Sequence, residues 1–578
     1  MRVKEKKRKT KEQIEKWMEL WPLILILAVL PMVVHLKIVS TGLENYPWFP
    51  DESSRGDFFA YWRTRIFQLS ALWMLVVLID RRIIRGKKWK VEKSWILLGI
   101  FMILTVLSTV FSKHGNFAWN GIVENYEGGI TILSYGIAFF YASQVIEEEK
   151  DGKILLWVLV LGTGVQLFFG LCQLAGHDFW SSSLGKMLAA PGQELSFRFG
   201  ESKKNPVYMA FYNPNYAAIY IVMVLPLLLY LVLDSRKKWQ KGICTAEILL
   251  LLVCLKKTSS RASLVTLLLL AVGWIFFRMI KKQRWKGLGI LSAVLLAVVV
   301  LFFWKNPVER LKYDLQKLEV TDAGILIKMK GKEILVNADR AGEEKAELKI
   351  TTKDGTELFL KYSEDGLFVP DDKKLEKLSF DTWQENGYLY LVLYYKKEPF
   401  YFVTDGKNGF TYVTLYGKAD SLTVADACGL EGYERLFGER MYIWSRTLPL
   451  LKNHIFLGCG PDTFALEFPQ NDQLGRINTN RSLYEEILTK PHSLYLQTAL
   501  QTGIVSLLCI LGFWLCYFIR VFVLSKEKNV GYSMKFALAF SVAGYLIMGL
   551  VNDSMTVTAP IFWVLLGVGS AWSFIDHD

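Results

Sequence analysis

Apolar residues in this chain gather into long unbroken runs, not into the one-sided stripe of a soluble amphipathic helix. A run of about 17 to 25 such residues crosses a hydrocarbon core of ~30 Å. Candidates lie near 18–39, 65–80, 94–111, 130–146, 153–175, 215–234, 242–255, 262–280, 287–304, 494–523, 535–551 and 556–575. The pattern predicts an all-α polytopic membrane protein with about twelve spans, nine within 1–305 and three within 492–578. The first run is too long and too strongly flanked by charge for a cleaved signal peptide, and it lacks a small-residue cleavage site. It is therefore expected to be retained.

Between the ninth and tenth runs the pattern changes. ILIKMKG, AELKITT, ELFLKYS, YLYLVLYY and FTYVTLYG alternate with period two, and Asp354-Gly355 and Asp365-Gly366 supply turn signals. These predict a β-rich insertion over 306–425, an antiparallel sandwich or meander. From 426 to 491 helical periodicity returns, broken by Gly and Pro, and this segment is expected to pack back onto the membrane surface.

Composition agrees with the runs, since 52% of residues are hydrophobic. The formal net charge of +13 comes largely from MRVKEKKRKTKEQIEK at the start, RRIIRGKKWK at 81–90, SRKKWQKG at 235–242 and RMIKKQRWKG at 278–287. Simple alternation puts all four on one side, the cytoplasmic one, although EEEKDGK at 147–153 departs from the pattern. Both termini are then cytoplasmic, and 306–491 is extracytoplasmic. The charge is a topology signal, so the expected partner is the lipid bilayer and no nucleic acid. Of seven cysteines, five fall in or beside the apolar runs; Cys428 and Cys459 fall in the outer region, where pairing stays open. No C-x-x-C or H-E-x-x-H spacing occurs, and the D-x-D at Asp576-His577-Asp578 lies at the cytoplasmic end. No metal site is expected.

Polar residues cluster where outside-to-inside helices begin: NYEGG (Asn125–Gly129), YNPNY (Tyr212–Tyr216), TSSRAS (Thr258–Ser263) and KPHSLYL (Lys490–Leu496). Helix N-termini carry unpaired N–H groups and partial positive charge, so several converging ends suit an anion. Arg261 adds a cation where a helix start disfavours one, which points to a visiting anion or to a headgroup-seeking interfacial arginine. Ser259 and Ser260 can cap that helix or contact phosphate oxygens. His492, expected in the first helical turn after Pro491, can accept a proton as a general base or bond the local backbone.

The segments NGIVENYEGGITILSYGIAFFYAS, FYNPNYAAIYIVMVLPL, TSSRASLV, ERMYIWSRTLPLLKNHIFLGCGPDTF and KPHSLYLQTALQTGIVSLL together resemble the O-antigen ligase and O-antigen polymerase superfamily of bacterial membrane glycosyltransferases. The stretch from about 310 to 425 carries no part of the resemblance. The resemblance implies a GT-C-like fold and transfer of a glycan from undecaprenyl pyrophosphate to a glycan, lipid or protein acceptor. The reaction would run at the outer face of the bacterial cell membrane without metal or other cofactor. By motif position it implies catalytic roles for Arg261, Arg440 and His492, with Arg446 a possible substitute for Arg440. The family's Pro-His-Asn reads Pro-His-Ser here, with Ser493 replacing the amide.

Arginines in place of a metal would hold the pyrophosphate, and His492 would deprotonate the acceptor hydroxyl, which predicts inversion at the anomeric carbon. Asn213, Asn215, Ser260, Glu124, Tyr126, Glu127 and Arg446 are candidate substrate contacts, with Asp462 and Asn552 behind them. Glu127 is equally suited to satisfying N–H groups of a first helical turn. Ligase and polymerase activities stay open. The alternatives are a transporter or flippase of lipid-linked saccharides, a protein O-oligosaccharyltransferase of the same superfamily, and a receptor whose β-rich region binds a wall polymer.

Overall fold

The computed structural model describes residues 2–193, 207–305, 309–340, 346–483, 487–524 and 532–575, so Asp576-His577-Asp578 lies outside the described residues. The N-terminal apolar runs fold as α1 (Arg2–Ile24), α2 (Tyr61–Ile79), α3 (Trp95–Val110), α4 (Gly129–Val145) and α5 (Glu149–Leu174). α6 (Pro214–Asp234), α7 (Lys238–Lys257), α8 (Arg261–Lys281) and α9 (Trp285–Lys305) follow. After the β region come α10 (Arg440–Leu450), α11 (Leu494–Thr502), α12 (Ile504–Phe518), α13 (Met534–Met548) and α14 (Ala559–Ile575).

Among the described residues four helices are long and apolar enough to cross a membrane by length and composition: α5, α6, α8 and Ile504–Val523. Shorter apolar helices, α3, α4, α13 and α14 among them, pack around these. The expected tenth span over 494–523 is not one helix. It breaks at Gly503, whose φ of +103° favours glycine and where a Cβ would meet the Phe456 carbonyl oxygen at 2.6 Å. His35, expected inside the first helix, instead follows its last turn at Leu30–Met32 and bonds the Leu188 carbonyl at 3.2 Å.

Burial sorts the helices. In α6, 83% of the apolar window is buried, against 17% in α8, so α6 is a central post and α8 presents its side chains outward. Leu264 and Leu268 on α8, Leu69 and Leu72 on α2, and Leu161 on α5 are all more than half exposed. Outward leucines on apolar helices suit hydrocarbon as solvent.

β1 (Lys37–Ser40) and β2 (Ser54–Asp57) pair as a short antiparallel ribbon, and the β region holds two antiparallel meanders. β3 (Leu315–Thr321), β4 (Gly324–Met329), β5 (Lys332–Arg340) and β6 (Ala346–Thr352) form one sheet in sequence order. β7 (Leu360–Tyr362), β8 (Phe368–Pro370), β9 (Leu378–Glu385), β10 (Tyr388–Tyr395), β11 (Glu398–Thr404) and β12 (Thr411–Val413) form the other. Alternate residues of both sheets, such as Ile325, Ile327, Leu391 and Phe402, share one core. The two Asp-Gly signals fall at the turns before β7 and between β7 and β8. The region leaves the chain where it entered it, because Leu311 N–H donates to the Gly432 carbonyl at 2.8 Å. Cys428 is exposed and Cys459 buried, and both are free thiols, so the disulfide left open by the sequence is absent.

Beyond the β region, the strand-like segment at Cys459 and Gly460 donates its N–H groups to Leu500 and Gln501 at the end of α11. This close approach needs glycine, since a Cβ at Gly458 would lie 2.0 Å from the Gln501 carbonyl carbon. Gly458→Ala should therefore destabilise the fold by about 1 to 3 kcal/mol, the range for overpacking. Gly273→Ala, where a Cβ meets nothing within 4 Å, serves as the neutral control. Thermal unfolding of the two purified variants checks this, and equal midpoints would show that the segment does not pack as described.

Candidate active site

His492 does not start a helix. Ser493 is the N-cap of α11, accepting from Leu496 N–H at 3.5 Å, and His492 precedes it with φ of +51°. The serine at the family's asparagine position thus serves the helix end. The group facing the imidazole is a carboxylate, not a helix terminus: Nδ1 lies 2.8 Å from Asp553 Oδ2, while Asp553 Oδ1 accepts from Ser493 N–H at 3.2 Å. Asp553 is 1% exposed and the His492 side chain 44% exposed. In the neutral ring, an Nδ1–H donated to this carboxylate leaves the Nε2 lone pair free. Trp444 Nε1 donates to the Pro491 carbonyl at 2.9 Å and holds the loop from α10.

His492 and Asp553 open into a cleft of about 460 Å³ that also takes in Asn213, Asn215, Arg440 and Asn552. Four of these were expected from the sequence as site residues, and Asn552 as a secondary one. Asn213 caps α6, accepting from Asn215 N–H at 2.8 Å, and so presents both amides at the mouth. Arg440 is the first residue of α10, where the helix dipole opposes a cation. Its Nη1 donates to the Phe437 carbonyl at 3.2 Å, but its Nε is buried with no partner among the described residues. Burial pushes the guanidinium below its usual range. Glu439, Asn480 and His492, three residues of this cleft, hold left-handed backbone. Such conformations cost about 1 to 3 kcal/mol each and persist where surrounding packing imposes them.

Asp553, Glu439 and Arg481 carry no signal in the sequence pattern. Arg481 lies over the Tyr442 ring at 5.1 Å and donates to the Glu439 carbonyl at 2.9 Å, which sets a second guanidinium in the cleft. Asp553 follows the last turn of α13 with no recognisable motif around it, and only the fold brings it to His492.

Other candidates are placed elsewhere. Arg446, expected as a substrate contact or substitute for Arg440, is committed to structure. Its Nη1 lies 2.9 Å from Glu434 and its Nε 3.0 Å from Asp472, with both carboxylates essentially unexposed. Glu127 is buried beneath the cleft and accepts from Tyr135 at 2.8 Å and Gln497 at 2.9 Å, with Lys490 at 3.6 Å. Tyr126 is buried edge-on to Tyr61, and Glu124 faces a different cleft beside Arg55. Asp462 is fully buried and ties down the 121–127 loop, accepting from Ile122 N–H, Glu127 N–H and Asn125 at 2.8 to 3.1 Å. Burial pushes its carboxyl up to about 7.

Arg261 begins α8 as expected but does not line the cleft. It is exposed. Ser260 is the N-cap position without making the cap bond, and its buried hydroxyl finds no partner among the described residues. Gly544 of α13 packs on Val222 of α6 and Leu270 of α8, which aligns the starts of α6 and α8 with the end of α13. Arg261 therefore stands at the same end of the bundle as Asn213 and Asn552.

Residues 389–511 match the family model described as O-antigen ligase. The resemblance to the O-antigen ligase superfamily is borne out. No curated protein and no solved structure matches the chain. The O-antigen ligase match runs from β10 into α12 and includes Arg440, Arg446 and His492. It begins inside the β region, which the motif resemblance had left out altogether.

The two arginines of α10 can be told apart by stability. Arg446→Met strands two buried carboxylates and should cost about 3 to 5 kcal/mol, whereas Arg440→Met strands no bonded carboxylate and should leave the unfolding midpoint near wild type. Parallel melting curves in detergent decide it; an Arg446→Met protein as stable as wild type would refute the structural assignment.

Proposed function

We propose that the chain is an inverting glycosyltransferase that moves or polymerises a glycan from undecaprenyl pyrophosphate at the outer face of the bacterial cell membrane. The observation that carries this reading is the His492–Asp553 pair, set in one cleft with the underused guanidinium of Arg440. It is supported by the O-antigen ligase match, which includes Arg440 and His492.

The chemistry follows from the geometry. His492 Nε2 takes the proton of the acceptor hydroxyl as that oxygen attacks the anomeric carbon. The bond from that carbon to the phosphate oxygen breaks, and undecaprenyl pyrophosphate leaves with the electron pair. Asp553 orients the ring and stabilises the imidazolium that forms. Arg440, with Arg481 beside it, meets the growing charge on the leaving group, each charged hydrogen bond contributing about 1.5 to 3 kcal/mol. Arg261 holds the donor phosphates as the lipid enters past α8. Asn213 and Asn215 bond sugar hydroxyls. Glu127, Tyr126, Asp462 and Arg446 position these groups without touching substrate.

In this reading the twelve apolar runs all lie in the membrane, the basic loops and both termini face the cytoplasm, and 306–491 is extracytoplasmic. The resemblance implies no metal, and the arginines occupy the role that one would fill.

His492→Ala and Arg440→Ala should each lower transfer at least a hundredfold, and Arg261→Ala by a similar factor through donor binding. Asp553→Asn should depress kcat far more than KM. The assay uses full-length protein in nanodiscs with the undecaprenyl pyrophosphate-linked glycan of the source organism, and NMR of the product reports the anomeric configuration. Transfer by His492→Ala near the wild-type rate, or retention of configuration, would sink the mechanism.

A further inference from the structure

A second cleft of about 350 Å³ lies between the 41–55 loop, the 122–124 loop, Tyr416 and the 487–489 segment. The β region builds it. Thr414 Oγ1 donates to the Pro47 carbonyl at 3.1 Å, and Lys418 Nζ donates to the carbonyls of Phe49, at 3.1 Å, and Glu44. These bonds hold the 44–50 loop against the turn that carries Tyr416. Arg55 lies over the Phe49 ring at 5.3 Å and donates to Glu52 at 3.1 Å and, loosely, to Glu124 at 3.4 Å. Glu124 is half exposed, and its backbone is held left-handed at φ +73°.

We propose that this cleft is a saccharide subsite, binding the glycan part of a substrate of the transfer reaction and resting on the transferase reading above. A sugar ring offers C–H faces and a rim of hydroxyls. The partly buried Tyr416 ring and Pro50 offer apolar surface for the faces. Arg55 supplies donors and Glu124 acceptors for adjacent hydroxyls, and the loose bond between them can open to admit a diol. The volume falls in the ~300 to 1,000 Å³ range of small-molecule sites.

Charge favours a neutral glycan over an anion, because Arg55 already faces two carboxylates. Position favours the same reaction. Glu127, on the same loop as Glu124, accepts from Ser554 Oγ, and Ser554 follows Asp553, so the two clefts are neighbours and one glycan chain can span them. The β region then has a role in recognition, as the wall that shapes this subsite.

The test uses full-length protein in nanodiscs and oligosaccharides released by mild acid from the source organism's own surface polysaccharide. Saturation-transfer NMR should show binding to wild type and to His492→Ala alike. Tyr416→Ala and Glu124→Gln should each weaken it at least tenfold with unchanged unfolding midpoints. In turnover assays a rise in KM confined to the acceptor places the acceptor glycan here, and a rise confined to the lipid-linked donor places the donor glycan here. Absence of oligosaccharide binding to wild type, or equal binding by both variants, would overturn the subsite. Oligosaccharide binding of the expected pattern by a wild-type protein that transfers no glycan would count against the transferase reading and leave the subsite standing.

Discussion

The end of the helix bundle that carries the two clefts is organised around a buried ion pair, Glu127 with Lys490 at 3.6 Å, the two side chains 2% and 3% exposed. Two charges so far from water are tolerated only when their remaining hydrogen-bonding capacity is filled. Here it is. Glu127 accepts from Tyr135, Gln497 and Ser554, and Lys490 donates to the Ser554 carbonyl at 2.7 Å. The pair therefore joins three distant stretches: the loop before α4, the turn before α11, and the loop after α13. Those stretches carry Glu124, His492 and Asp553 respectively, so one charge pair sets the spacing of both clefts.

From that anchor the histidine geometry follows. Lys490 is fixed, Pro491 is held by Trp444, and the N–H of Leu494 donates to the Gly549 and Asn552 carbonyls at 2.8 Å. Between two such clamps His492 has little backbone freedom and sits left-handed. Its ring can then meet Asp553 without paying the usual entropy of ordering a loop side chain at the moment of reaction. Glu439 and Asn480, which line the same cleft, are left-handed as well.

Much of this was legible in the sequence, and the limits have physical causes. Helix positions are carried by hydropathy, which is local, so each apolar run is helical over most of its length, although 33–39 of the first run is not. The break at Gly503 escaped because apolar length alone cannot report a positive φ. His492, Asn213 and Asn215 sit beside proline and helix-start signals that mark them as candidates, Arg440 was named by motif position, and the four share one cleft. Arg446 was misplaced because its partners, Glu434 and Asp472, are ordinary surface residue types whose burial is decided by tertiary packing. Asp553 was missed for the converse reason: it is brought to His492 by the bonds of Leu494 N–H to the Gly549 and Asn552 carbonyls beyond α13. The β region's strands were read correctly from alternation, but its bonds to the 44–50 loop link residues more than 360 positions apart.

The arginines of this end share a physical feature that bears on how binding and catalysis are coupled. Arg440 and Arg261 both begin helices, where the dipole disfavours a cation, and Arg440 also keeps a buried Nε unsatisfied. Each is therefore less stable in the empty protein than with an anion beside it. A pyrophosphate would relieve both penalties at once, and it would do so more strongly as charge builds on the leaving oxygen than in the ground state. In the proposed mechanism, ionic interactions withheld from the resting fold would be released where bond breaking needs them. The second cleft behaves differently, because Arg55 is already balanced by Glu52 and Glu124. In the proposed reading it would bind a neutral sugar without competing for the anion, and the separation of charge between the two clefts would sort the two ends of a lipid-linked glycan.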